Sequence, residues 1–137
     1  MIRQDNKMND KARILIIDDD LNYVKSIIVI LESREYTVDT AHNRDSAMEK
    51  ISKTRPDLIL LDIMMDRLDD GFTICYKLKH DPELRKIPII TISAVTEKTG
   101  FKLSAVTDGE RFEADDYVEK PIEPSDLLER VEKLLKK

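Results

Sequence analysis

The stretch Asp57-Leu58-Ile59-Leu60-Leu61-Asp62-Ile63-Met64-Met65 carries the first architectural signal in this chain. Leu58 to Leu61 run without a polar break between Pro56 and Asp62. A short apolar run with a proline before it and an acid after it suits a strand buried on both faces of a parallel sheet. Such strands present functional residues at their carboxyl ends, where the sheet opens into a crevice. Asp62 occupies that position. A carboxylate there is costly unless its charge is compensated. Beside a cation it can act as a nucleophile and carry a phosphoryl group. A plainer role is equally open on this stretch alone: aspartate often caps the turn that leaves a strand.

Working outward, the same pattern recurs near the start. Ile14 to Ile17 form a second unbroken β-branched and aliphatic run, and Asp18, Asp19 and Asp20 follow it. Leu21, Val24, Ile27, Ile28 and Leu31 have the spacing of an amphipathic helix over Leu21 to Arg34. Tyr36 to Ala41 alternates as a strand, and Asn43 to Thr54 reads as a helix with Ala47, Met48 and Ile51 on one face. Beyond the Pro56 to Asp62 strand, Ile63 to Gly71 reads as an acidic loop. Phe72 to His80 reads as a helix ended by Asp81-Pro82. Ile87 to Ser93 is another apolar strand, and Asp115 to Lys120 is a last short one. Glu123-Pro124 opens a closing helix with proline at its first position, and Leu127, Leu128, Val131, Leu134 and Leu135 form its apolar face. Strand and helix alternate throughout, which implies an α/β fold: a parallel sheet with right-handed crossovers and helices on both faces.

The chain has 137 residues, of which 41% are hydrophobic and 37% charged, so one globular domain with a real core is expected. Residues 1–11 read as a polar lead-in and residues 12–137 as the domain. The net charge of −5 argues against a nucleic-acid or anionic-membrane surface. No segment has the apolar length of a signal peptide or a bilayer span, so a cytoplasmic protein is expected. The lone Cys75 suits a buried, inert thiol. His42 and His80 lack companion ligands and suit surface or capping roles.

The polar residues gather at one edge of this sheet. Asp18 and Asp19 end the first strand, Asp62 the third and Ser93 the fourth, and Lys120 follows the fifth. If the first and third strands are neighbours, three carboxylates converge. Two carboxylates about 5 Å apart repel by roughly 3 kcal/mol at an effective dielectric near 20. Carboxylate oxygens with no His or Cys beside them suit Mg²⁺, with Mn²⁺ as an alternative. Ser93 can donate a hydrogen bond to a phosphoryl oxygen, and Lys120 supplies a compact positive charge. Together these groups suit phosphoryl transfer to a carboxylate. Asp20, Asp66, Asp69 and Asp70 read instead as solvated loop acids. Taken singly, Ser93, Lys120 and Tyr117 have ordinary structural roles; their joint occurrence sets them apart.

From Arg13 to Leu135 the sequence resembles the response-regulator receiver domain of two-component signalling. The resemblance rests on Ile14 to Asp20, Asp57 to Met65, Ile87 to Ala94 and Ala114 to Pro121, in that order. It implies the flavodoxin-like, doubly wound five-stranded sheet with strand order 2-1-3-4-5. It implies Asp62 as phosphoacceptor, with Ser93 and Lys120 as phosphate partners and Ser93 and Tyr117 as the switch pair. It also implies Mg²⁺ held by Asp18, Asp19, Asp62 and the backbone carbonyl of Met64. The implied partners are a histidine kinase or phosphotransfer protein as donor, and a downstream protein on the face of the fifth strand and closing helix. No direct nucleic-acid or membrane partner is implied, and no turnover of an external substrate.

Two rivals are weighed against this. Ile14 to Asp20 also resembles the opening of haloacid-dehalogenase-like phosphohydrolases, with Asp18 as nucleophile and Asp20 as acid/base. Leu21-Asn22 then departs from that family's Gly and Thr, and Asp62 has no role. The other rival is a pseudo-receiver that never carries phosphate. Against the receiver pattern, Asp66 stands where proline is usual, Asp69-Asp70-Gly71 arrives one residue late, and the segment from Ser93 to Lys120 is longer. Gly100 and Gly109 break the apolar stripe there, so Val95 to Ala114 is expected to lack a regular helix, with at most a short one near Lys98 to Ala105.

Overall fold

The computed structural model describes residues 12–62, 68–93 and 114–136. Five parallel strands form one sheet: β1 (Arg13–Ile17), β2 (Thr37–Ala41), β3 (Leu58–Asp62), β4 (Ile89–Ser93) and β5 (Asp116–Glu119), in the order β2-β1-β3-β4-β5. This is the flavodoxin-like order implied by the resemblance. Four helices lie among the described residues: α1 (Leu21–Glu32), α2 (Arg44–Lys53), α3 (Leu68–Lys79) and α4 (Pro124–Leu135).

The two-residue period of the strands sorts the core into two halves. Leu15, Ile17, Ile59, Leu61 and Ile89 pack with Ala47 and Ile51 of α2 and with Ile74, Cys75 and Leu78 of α3. Ile14, Ile16, Leu58, Leu60, Ile90, Ile92 and Val118 pack with Val24, Ile27 and Leu31 of α1 and with Leu127 and Val131 of α4. All five residues of β3 are buried, as its unbroken apolar run requires.

Ile17 of β1 is level with Leu61 of β3. The register therefore brings Asp18 alongside Asp62. Asp18 continues the series Ile14 and Ile16, Asp62 continues Leu58 and Leu60, and Lys120 continues Val118. All three series belong to the half of the core packed by α1 and α4.

One boundary differs from expectation. Helix α3 starts at Leu68, so Leu68 to Gly71 belong to it rather than to the acidic loop. Acidic residues are favoured in a helix's first turn, so Asp69-Asp70 suits a helix start as well as a loop. A glycine near a helix end costs only about 1 kcal/mol, which packing of the following turns outweighs. Met64 and the 95–113 part of Val95 to Ala114 lie outside the described residues, as does the polar lead-in at 1–11.

Candidate functional site

The acids at the ends of β1 and β3 converge. Oxygens of Asp18, Asp19 and Asp62 lie within 4.8 Å of one another. Asp18 and Asp62 are each only 2% exposed, so their mutual repulsion is poorly screened by water. Lys120 answers part of it: its Nζ stands 3.4 Å from Asp18 Oδ2 and 3.7 Å from Asp62 Oδ2. Three carboxylates against one ammonium leave the cluster two negative charges in excess when all are ionised. That excess, built from hard oxygen donors, fits a divalent cation such as Mg²⁺.

The remaining oxygen of Asp18 organises the chain around it. The Asp20 backbone N–H donates to Asp18 Oδ1 at 2.9 Å. Asp20 then caps α1, its Oδ1 accepting from the Tyr23 backbone N–H at 3.1 Å. Asp20 is thus no idle loop acid, although it is solvent-exposed. The cap supplies an acceptor for a backbone N–H otherwise left unpaired at the helix start. Tyr23, in the first turn so fixed, places its ring 4.3 Å from Lys120 Nζ. Burial raises the Tyr23 phenol above its ordinary pKa; the Ile122 backbone partly offsets this, and the charges of Asp18, Asp62 and Asp20 add to it. Tyr23 therefore stays a neutral ring beside the lysine across the physiological range. Sequence reasoning passed over Tyr23. The available signal was its position four residues after Asp19, inside the first turn of a helix that starts at the site.

Lys120 has 17% side-chain exposure and two buried acidic partners, which rules out an ordinary surface amine. The Lys120–Pro121 peptide bond is cis. Ser93 ends β4, in register with Glu119 of β5. Tyr117 is 37% exposed on β5 rather than part of the core. Its backbone N–H donates to Asp116 Oδ1 at 2.8 Å. His42 and His80 are exposed, and the His80 ring stacks on Tyr76 with centroids 4.1 Å apart. Cys75 is buried in the α2/α3 half of the core, as expected. None of these last three residues belongs to the acidic cluster.

A flavodoxin-like sheet with a carboxylate cluster and a lysine at its carboxyl edge defines a class of phosphate-handling signalling domains, and comparison with known proteins agrees. The response regulator receiver domain profile matches residues 14–132, and the chain belongs to that family. It is 38% identical over 123 residues to the response regulator PleD of Caulobacter vibrioides, covering 90% of this chain and 26% of PleD. It is 35% identical over 126 residues to the response regulator MprA of Mycobacterium ulcerans, covering 92% of this chain and 51% of MprA. The chain thus spans about a quarter to a half of these relatives. Among solved structures, it is similar to the signal receiver domain of a signal transduction histidine kinase from Syntrophus aciditrophicus. The TM-score is 0.79 at 33% identity, covering 91% of this chain and 90% of that one. A CheY-like response regulator receiver domain protein from Methanospirillum hungatei gives a TM-score of 0.73 at 30% identity, covering 93% and 95% of the two chains. Phosphorelay signalling through an aspartyl phosphate is typical of the family. Among the described residues, no helix is long and apolar enough to cross a membrane.

Proposed function

We propose that this chain accepts a phosphoryl group on Asp62 from the phosphohistidine of a histidine kinase or phosphotransfer protein. The observation that carries this is the placement of Lys120 between two buried carboxylates, with a third oxygen donor, Asp19, beside them. An Asp62 carboxylate oxygen attacks phosphorus in line. The new O–P bond forms as the P–N bond breaks, and the electron pair returns to the imidazole nitrogen, which takes a proton from solvent. The charge that builds on the phosphoryl oxygens needs electrostatic stabilisation. Lys120 and the Ser93 hydroxyl supply part of it from this chain. Mg²⁺ would be held by Asp19, Asp18, Asp62 and the Met64 carbonyl, and would supply further charge neutralisation.

Asp18 is a poor candidate for the nucleophile. Its Oδ1 accepts from the Asp20 N–H, a bond that fixes the turn into α1. That weakens the phosphohydrolase alternative, in which Asp18 would attack and Asp20, here a helix cap, would shuttle protons. The pseudo-receiver alternative is weakened by the acceptor, acids and lysine standing together.

The output side is the face of β5 and α4. After transfer, Ser93 is drawn to the phosphate and the half-exposed Tyr117 ring moves inward. An open groove of about 610 Å³ lies on this face, and among its described lining residues Glu119, Glu123, Asp126 and Glu129 stand against Arg130. Its charge suits a basic surface on a downstream protein.

The distinguishing experiment is to incubate the protein with Mg²⁺ and either acetyl phosphate or a small aryl phosphate ester. A receiver takes up one phosphoryl group and stops. Steady release of phosphate from the ester, with many turnovers per protein, would instead establish the phosphohydrolase.

A further inference from the structure

Lys120 is held from three directions. Asp18 Oδ2 and Asp62 Oδ2 lie 3.4 Å and 3.7 Å from its Nζ, and the Tyr23 ring lies 4.3 Å from it. A lysine on a four-carbon stem has many rotamers, and two carboxylates alone leave it free to settle on either. An aromatic face reduces that freedom, because its quadrupole also attracts the ammonium. We propose that Tyr23 is a positioning residue whose ring holds the Lys120 ammonium where it serves the acceptor carboxylate rather than Asp18 alone. This rests on the receiver function proposed above and adds a residue to it.

Two further observations support the assignment. Tyr23 is placed by the site itself: Asp18 Oδ1 binds the Asp20 N–H, and Asp20 Oδ1 binds the Tyr23 N–H. Lys120, Asp18, Asp20 and Tyr23 therefore close a ring of contacts that returns to the lysine. In addition, the Lys120 ammonium lies over the face of the Tyr23 ring, 4.3 Å from its centroid. The aromatic face is then the part of Tyr23 that acts, and phenylalanine should replace it.

The test compares the parent, Tyr23→Phe and Tyr23→Leu, with Tyr23→Met as a second flexible replacement should the leucine variant fold poorly. Two quantities are read: the rate of acetyl phosphate labelling at saturating Mg²⁺, and the proton shift of the Lys120 Cε methylene. The leucine or methionine variant should label about three- to tenfold more slowly, as expected for loss of a partly desolvated cation–π contact. Tyr23→Phe should label at the parent rate. The Lys120 methylene should be shifted upfield by the ring in the parent and Tyr23→Phe, and should return downfield in Tyr23→Leu. Parent-like labelling by Tyr23→Leu, or equal slowing in Tyr23→Phe, overturns the inference. So does a methylene shift insensitive to the loss of the ring. If the parent itself takes no phosphate, the receiver function fails, and the methylene shift still decides whether Tyr23 holds Lys120.

Discussion

Lys120 Nζ lies 3.4 Å from Asp18 Oδ2 although their strands, β5 and β1, are separated in the sheet by β4 and β3. At ordinary strand spacing the two strand axes are roughly 14 Å apart. The turn after β5 and the lysine stem together close that distance. The contact forms only when the whole sheet is assembled in order, so the electrostatics of the site and the completeness of the fold are coupled.

Removing the ammonium exposes that coupling. Lys120→Met leaves Asp18 and Asp62, each 2% exposed, facing each other without their lysine. The expected loss is about 1–3 kcal/mol of stability, the cost of stranding buried polar groups. Mg²⁺ should restore much of it, so the metal-induced rise in Tm should be larger in Lys120→Met than in the parent. An equal rise in both proteins would show that lysine and metal do not answer the same charge.

Asp19 should be the more selective probe of the metal. It belongs to the three-carboxylate cluster, yet unlike Asp18 and Asp62 it is not deeply buried. Asp19→Ala should therefore keep the fold while weakening Mg²⁺ binding. The stabilisation by metal, which follows mass action, should then need higher Mg²⁺. Isothermal titration of both proteins measures this directly. Parent-like affinity in Asp19→Ala would place the metal elsewhere.

Much of this site was legible in the sequence because it hangs on strands. Unbroken runs such as Ile14 to Ile17 and Leu58 to Leu61 mark buried parallel strands, and the acids that end them follow at once. A period of two then fixes which face each end residue continues. Convergence of Asp18 and Asp62 needed the strand order, which came from the resemblance and which the sheet bears out. Tyr23 and the capping role of Asp20 were not read. Their importance depends on the start of α1 meeting Lys120 from a distant strand, a tertiary relationship without periodicity of its own. The start of α3 was misplaced because Asp-Asp-Gly composition serves a loop and a helix start alike.

Alkaline pH offers a check on the burial of Tyr23. Burial, then the nearby carboxylates, raise its pKa above the ordinary 10.0, against the opposing effect of the Ile122 backbone. The folded state thus holds this proton more tightly than the unfolded state does. The resulting stabilisation is fully present below the ordinary value and is lost as pH rises through the folded one. In a tyrosinate absorbance titration, the component missing from Tyr23→Phe should lie on the alkaline side of 10.0. A missing component at lower pH would contradict the buried placement.

At the opposite end of the sheet, Lys79 ties α3 to β4 and to the lead-in to β5. Its Nζ donates to Asp115 Oδ2 at 2.8 Å and to the carbonyls of Arg85 and Ile87 at 3.1 Å, with only 11% side-chain exposure. Asp115 Oδ2 also accepts from the Ile89 N–H at 2.9 Å. Lys79→Met keeps the stem but removes the donor from all three acceptors, and should cost about 1–3 kcal/mol in urea denaturation. Mg²⁺ affinity should not change, because the acids of the site lie at the other ends of the strands. An unaltered denaturation midpoint would mean that water replaces the ammonium at little cost.

The central claim is that Asp62 carries the phosphoryl group, and peptide mapping after labelling tests it most directly. The parent and Asp62→Asn are incubated with Mg²⁺ and acetyl phosphate, then measured by intact mass and by mass spectrometry of peptides. The parent should gain one phosphoryl group, located on the peptide that contains Asp62. Asp62→Asn should gain none while retaining the parent's circular dichroism. Undiminished labelling of Asp62→Asn, or a phosphoryl group mapped to Asp18 in the parent, would contradict the account.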